Sequence, residues 1–166
     1  MGAITKLIDS ILFIFFLVIA VGAPLLDSQT CLPTNLYPQF LLNLKKWYTD
    51  SCGDYLIAEK PHFFVGLVWI ELLFQWPLAL LSLYAILASK PWIRTTCLIY
   101  GASVFTSMGA ILAEMMGGGK ASEKLLMIYY PFMGLGILAI VRGLMPQSNS
   151  GVTGRRPTPL PRKKRA

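Results

Sequence analysis

The sequence predicts an all-α membrane protein: a four-transmembrane-helix bundle with an amphipathic helix in its longest connection. Three observations carry this. Four stretches almost free of charge, Ser10 to Leu26, Pro61 to Ser89, Thr95 to Ala113 and Leu125 to Val141, each approach or exceed the roughly 20 residues that cross a hydrocarbon core of about 30 Å. Of the 166 residues 55% are hydrophobic and 14% charged, and a soluble domain of this size rarely carries four such runs. The basic residues gather in alternate connections, as they do when one side of a bilayer retains them.

The first span, about 6–26, begins behind Lys6 and resembles a signal peptide in outline. Its apolar run continues to Leu26 without an A-x-A-like cleavage site, so a retained span is expected. The connection Asp27 to Lys60 is patterned rather than featureless. Leu36, Tyr37, Phe40, Leu41, Leu44, Trp47 and Tyr48 recur at helical spacing, opposed by Gln39, Asn43, Lys45 and Lys46. This predicts an amphipathic helix that either anchors the loop at the interface or covers the mouth of the bundle.

The second span, about 61–88, contains the most informative residue of the chain. Glu71 is the single charged group between Pro61 and Ser89, and a carboxylate at membrane depth is costly enough to mark a functional site. Gln75, four residues on, shares its helix face, and both polar groups are expected to point into the bundle. Spans three and four, about 93–115 and 123–143, are separated by Gly117-Gly118-Gly119. No strand precedes that triplet and no G-K-[ST] follows it, so it reads as a turn and not as a phosphate loop. Pro24, Pro77 and Pro131 each remove a backbone donor from a span and are expected to kink it, leaving room between helices.

Residues 1–145 thus form one bundle, followed by a basic tail, 146–166, too poor in apolar residues to fold. With four spans, Lys6, Lys90, Arg94, Arg142 and the tail residues Arg155, Arg156, Arg162, Lys163, Lys164 and Arg165 share one side, against Lys45, Lys46, Lys60, Lys120 and Lys124 on the other. Both termini are therefore expected in the cytosol. There Lys163 and Lys164, three and four residues from the end, match a di-lysine signal for return to the endoplasmic reticulum. A polybasic tail touching anionic lipid is a compatible reading. The net charge of +7 is largely this tail, and no folded patch of basic and aromatic residues suggests nucleic acid.

Asp27 closes the first span. It either marks the membrane boundary or, if Pro24 tilts the helix end inward, enters the same cavity as Glu71. Two carboxyls there would share one proton and hold a cationic amine or orient a sterol hydroxyl. With three cysteines, none in a C-x-x-C pair, and one histidine, neither a metal site nor a cofactor is expected. Cys31 and Cys52 share the long loop, where a disulfide and two free thiols are both open; Cys97 is expected to pack inside span three. His62, at the start of span two, reads as a boundary residue rather than a catalyst.

The residues also resemble a known family. Leu26-Asp27, Leu32-Pro33, Leu36-Tyr37-Pro38, Asn43-Leu44-Lys45-Lys46-Trp47-Tyr48 and Asp54 before Leu56-Ile57 are similar to the first half of the sigma-2 receptor (transmembrane protein 97) family. Glu71 to Pro77, Trp92-Ile93-Arg94-Thr95 and Ile99-Tyr100 continue the likeness, which fades at Gly117 to Lys124 and in the tail. The resemblance implies the EXPERA fold, shared with emopamil-binding protein, and a lumenally capped pocket for sterols and cationic amphiphiles. It implies that Asp27 pairs with a ligand amine, Glu71 hydrogen-bonds that acid, Asp54 supports the site, and Gln75, Thr106, Ser107 and Tyr129 line the pocket. Phe132 stands where that family has a tyrosine, and Ser107 where it has a threonine. The implied function is sterol homeostasis by binding, in the endoplasmic reticulum membrane and with nuclear-envelope or endolysosomal membranes also open. A homodimer and sterol-transport membrane proteins are the partners it suggests. A sterol isomerase of the emopamil-binding type and a non-enzymatic assembly partner are the competing readings.

Overall fold

The computed structural model describes residues 2–146, and every element within them is helical. Ala3–Leu25 (α1) leads through 3-10 turns at Asp27–Thr30 and Thr34–Leu36 into Gln39–Cys52 (α2) and the short Tyr55–Glu59 (α3). The next crossing is His62–Ile70 (α4), a π turn at Glu71–Gln75 and Trp76–Leu87 (α5); Ile93–Gly117 (α6) and Glu123–Leu144 (α7) complete the bundle. Four segments are long and apolar enough to span a bilayer, so the chain is a multi-pass membrane protein. The tail reading, with Lys163 and Lys164, falls on 147–166 and lies outside the described residues.

Local chemistry sets the joints. Gly53 takes a left-handed φ of 65° to end α2, where glycine meets no Cβ penalty. Asp54 then opens α3 by accepting the Ile57 N–H at 3.2 Å, and Ser122 opens α7 by accepting that of Leu125 at 3.2 Å. Gly117 ends α6 and the chain bends away over Gly118 and Gly119, the latter at φ 62°.

Two of the prolines shape their surroundings. Pro24 lies in the last turn of α1 and cannot donate to the carbonyl of Ala20. That orphaned acceptor takes the indole N–H of Trp76 at 3.0 Å, a substitution that matters where no water is at hand. Ahead of Pro77, the backbone widens: the Trp76 N–H reaches back five residues to the Glu71 carbonyl, and the loosened turn carries both Glu71 and Gln75. Trp76→Phe keeps the ring but strands the Ala20 carbonyl, and is expected to destabilise the bundle by about 1–3 kcal/mol. Thermal unfolding in detergent checks this, and an unchanged midpoint would remove the Trp76 bond from the account.

α6 and α7 pack closest. A Cβ on Gly101 would lie 2.7 Å from the Gly136 carbonyl and the Ile140 nitrogen, and one on Gly143 2.7 Å from the Leu98 Cβ. Lipid is as apolar as leucine, so such close backbone contact, more than hydrophobicity, holds membrane helices together. Gly101→Leu is expected to cost at least about 1–3 kcal/mol through overpacking; wild-type stability of that variant would show that the two helices do not meet there. Toward the chain termini Phe15, Phe16 and Tyr100 form edge-to-face contacts, Phe16 and Tyr100 with centroids 5.0 Å apart. A second cluster, around Leu56, Phe64, Ile111 and Leu125, fills the loop end.

Arg142, one of the basic residues counted toward the cytosolic side, is engaged within the bundle: its guanidinium grips Asp9 of α1 bidentately, at 2.5 and 3.1 Å, and both residues are buried. The apolar stripe of α2 does both things left open for it: Leu44, Trp47 and Tyr48 border the bundle cavity, while much of the stripe is turned outward as an interfacial anchor is. Phe40, Leu44 and Trp47 are 67%, 44% and 66% exposed, whereas Leu41 is buried. Beside a bilayer an outward apolar face meets lipid, and the inward face is free to carry Lys45 and Tyr48.

Candidate functional site

Where α1, α2, α4, α6 and α7 meet near the loop end they line a partly open cavity of about 380 Å³. Its wall is mainly aliphatic and aromatic, and it has a small polar set: Asp27, Lys45, Tyr48, Glu71, Gln75, Ser107 and Tyr129. An apolar chamber with few convergent polar groups is the usual form of a small-molecule site, and this volume lies in the usual range of about 300–1,000 Å³.

Asp27 reaches it because the chain around it is fixed on both sides. The Ser28 hydroxyl donates to the Pro24 carbonyl at 2.6 Å and shares a 2.6 Å bond with the Tyr37 hydroxyl; the Gln29 amide donates to the Leu25 carbonyl at 2.6 Å. These bonds satisfy the polar groups at the end of α1 and leave the Asp27 carboxyl lining the cavity. Glu71 enters from the π turn. Gln75, one turn on, points its amide at the Ser103 and Ser107 hydroxyls at 2.9 and 3.3 Å, which ties that turn to α6. Among the described residues neither the Asp27 nor the Glu71 carboxyl makes a hydrogen bond or an ion pair with another side chain.

Asp54 stands behind the wall. Only 1% exposed, it accepts from the Tyr129 hydroxyl at 2.8 Å, the Tyr48 hydroxyl at 3.5 Å and the Ile57 N–H. A carboxylate so satisfied ties α2, α3 and α7 together and orients the two tyrosines that line the cavity. Burial, then the charge of Asp54, push the Tyr48 hydroxyl above the usual phenol range, so it remains a donor. Replacing Asp54 with alanine leaves both hydroxyls and an N-cap unmatched. The expected loss is about 2–4 kcal/mol, read by thermal unfolding; a loss under about 1 kcal/mol would deny Asp54 this role.

Of the residues picked from sequence, Asp27, Glu71, Gln75, Ser107 and Tyr129 come together around one space. Thr106 does not. Its hydroxyl donates to the Ala102 carbonyl at 3.0 Å on the exposed side of α6, because adjacent helical residues diverge by about 100° and Ser107 holds the inward position. His62 is exposed at the start of α4 and outside the cavity wall. Cys31 and Cys52 are free thiols, Cys31 facing the Val65 carbonyl at 3.7 Å, and Cys97 is buried in α6. Lys45 and Tyr48 were missed. The spacing Leu41, Lys45, Tyr48, Cys52 puts them on one face, but in the sequence Tyr48 counted as part of the apolar stripe and Lys45 as part of the polar face opposed to it.

Lys45 donates to the Thr30 hydroxyl at 2.7 Å and to the Leu26 carbonyl at 3.4 Å. Burial, followed by the neighbouring charge of Lys60, holds its ammonium down to about 8 against the attraction of Asp27. Anions and cations thus share this chamber.

Comparison with known proteins places the same region in a family. The EXPERA (EXPanded EBP superfamily) profile matches residues 40–143. Sigma intracellular receptor 2 of Xenopus tropicalis is 35% identical over 119 residues, 71% of this chain and 70% of that protein. Its counterpart in Macaca fascicularis is 35% identical over 115 residues, 69% of this chain and 65% of the relative. The Homo sapiens protein of that name is 38% identical over 92 residues, 55% and 52% of the two chains.

Proposed function

The chain belongs to the EXPERA family, and from that premise we propose that it is a sigma-2-type membrane receptor that binds sterols and cationic amphiphiles in its acid-lined cavity. The observation that carries this reading is the arrival of Asp27 and Glu71, from separate spans, at one apolar chamber. The aliphatic wall suits a fused-ring skeleton; the carboxyls suit an amine or a hydroxyl at its end. Binding without turnover is the proposed activity, serving sterol homeostasis or trafficking in the endoplasmic reticulum membrane with both termini in the cytosol. The bilayer, a second copy of the chain and sterol-transport membrane proteins are the proposed partners.

The test is saturation binding of a labelled cationic amphiphile to the purified chain, with sterol as competitor. Mutual displacement is expected, since one chamber of this volume holds one such ligand. A protein that binds neither class would overturn the receptor reading and favour an assembly partner, whose acids merely pin helices. A sterol isomerase is the other rival. It must place an acid and a base against the ring, whereas His62 lies outside the chamber. Incubation with a ring-unsaturated sterol in D₂O decides: deuterium entering the ring as the double bond moves would replace the receptor reading with the enzyme.

A further inference from the structure

The binding role leaves Lys45 unused. It lines the same cavity as Asp27 and Glu71, and its ammonium bonds Leu26 and Thr30, which bracket Asp27 in the chain. We propose that Lys45 is a tethered cation of the cavity: in the empty receptor its ammonium stands in for a ligand amine, and a cationic amphiphile binds only as that charge is displaced or neutralised. Lys45 is then the residue that sets the preference between charged and neutral ligands. The inference rests on the acid-lined binding site proposed above.

Its hold on the protein fits a displaceable group. Both partners of the ammonium are neutral oxygens, and Lys45 forms no ion pair; the ion pairs among the described residues are Lys120 with Glu59 and Arg142 with Asp9. A lysine is a compact charge on a flexible stem, able to swing away or lose its proton. The charged and titratable groups that face it are Asp27 and Cys31 around the first 3-10 turn, Asp54 ahead of α3, Lys60 behind α3, and Glu71 across the chamber. Lys60 bonds the Gln29 carbonyl at 3.4 Å, so a second cation deepens the repulsion an incoming amine meets. Burial pushes the Cys31 thiol up, which keeps it out of a titration near neutrality. With Lys45 held down to about 8, its proton leaves in a range where a quaternary ammonium keeps its charge. Rising pH should therefore tighten binding of a fixed cation and leave a neutral sterol alone.

The experiment compares a sterol bearing a trimethylammonium group with its neutral hydroxyl counterpart, on the full chain in detergent. Lys45→Met should tighten the quaternary probe about tenfold, the order expected of one charge in a half-buried site, while the neutral probe moves little. Lys45→Arg keeps the charge and should show no gain. Wild-type protein, needing no variant to fold, should bind the quaternary probe more tightly as pH rises from about 6.5 to 9.5, and the Lys45→Met profile should be clearly shallower, keeping only the share that belongs to the proton held between the two carboxyls. Acid-dependent binding whose charged-to-neutral ratio is unmoved by Lys45→Met, or a flat wild-type profile, overturns the role of Lys45 alone. Failure to bind either probe, or quaternary binding that survives Asp27→Asn and Glu71→Gln together, overturns the binding site and this inference with it.

Discussion

Arg142→Met lowers the stability of the bundle by about 3–5 kcal/mol, and adding Asp9→Leu to it returns most of the loss. The single substitution leaves the Asp9 carboxylate without its two hydrogen bonds, at 9% exposure between α1 and α7. A buried charge deprived of its partner loses the attraction that offset its desolvation, and the hydrocarbon nearby offers no substitute. The double variant removes both charges and replaces them with side chains of similar bulk, an exchange that is often neutral or stabilising. Against a total stability of about 5–15 kcal/mol the single change is large. Unfolding midpoints of the four proteins in one detergent measure it. A double variant as unstable as Arg142→Met would mean that the guanidinium contributes packing rather than charge, since its side chain is itself buried.

That pair also marks where sequence reading stops. The four spans were visible because charge avoids hydrocarbon, and four helices long and apolar enough to cross a bilayer occupy the charge-poor stretches. Glu71 was visible for the same reason, as an exception. Asp9 and Arg142 each sit at a span end, where single charges are ordinary, and nothing local announces that residues 133 positions apart meet. The inward face of α2 was hidden by a different effect. Hydrophobicity identifies the interior of a protein only where the exterior is water; at a bilayer surface Phe40 and Trp47 gain as much outside as inside, and so the stripe they form left interface and bundle mouth equally open. Pro24 and Pro77 were read as kinks, yet the structure uses one as the source of a free carbonyl for Trp76 and the other as the neighbour of a π turn that presents Glu71. Thr106 was lost to helix geometry of a single residue, Ser107 holding the place beside it.

Asp27→Asn and Glu71→Gln, made separately, should each weaken a cationic amphiphile by about 30- to 1,000-fold, equivalent to roughly 2–4 kcal/mol. Each amide keeps the size and shape of the acid, removes its charge and exchanges one acceptor oxygen for an N–H donor, so the loss reads chiefly charge. The two carboxyls line one chamber from separate elements, Asp27 from the turn after α1 and Glu71 from the π turn; a single ammonium between them would be held by both. The double variant should then lose clearly less than the sum of the two, since once one acid is gone the cation has already shifted or left. A neutral sterol reads the same wall through its skeleton and should change by less than about threefold, below 1 kcal/mol. Strict additivity would place the acids in independent sites. Equal losses for the charged and neutral ligands would show that the substitutions collapse the chamber, and Glu71 would then belong with Asp54 and Arg142 among the groups that hold the bundle together rather than the one that receives the ligand.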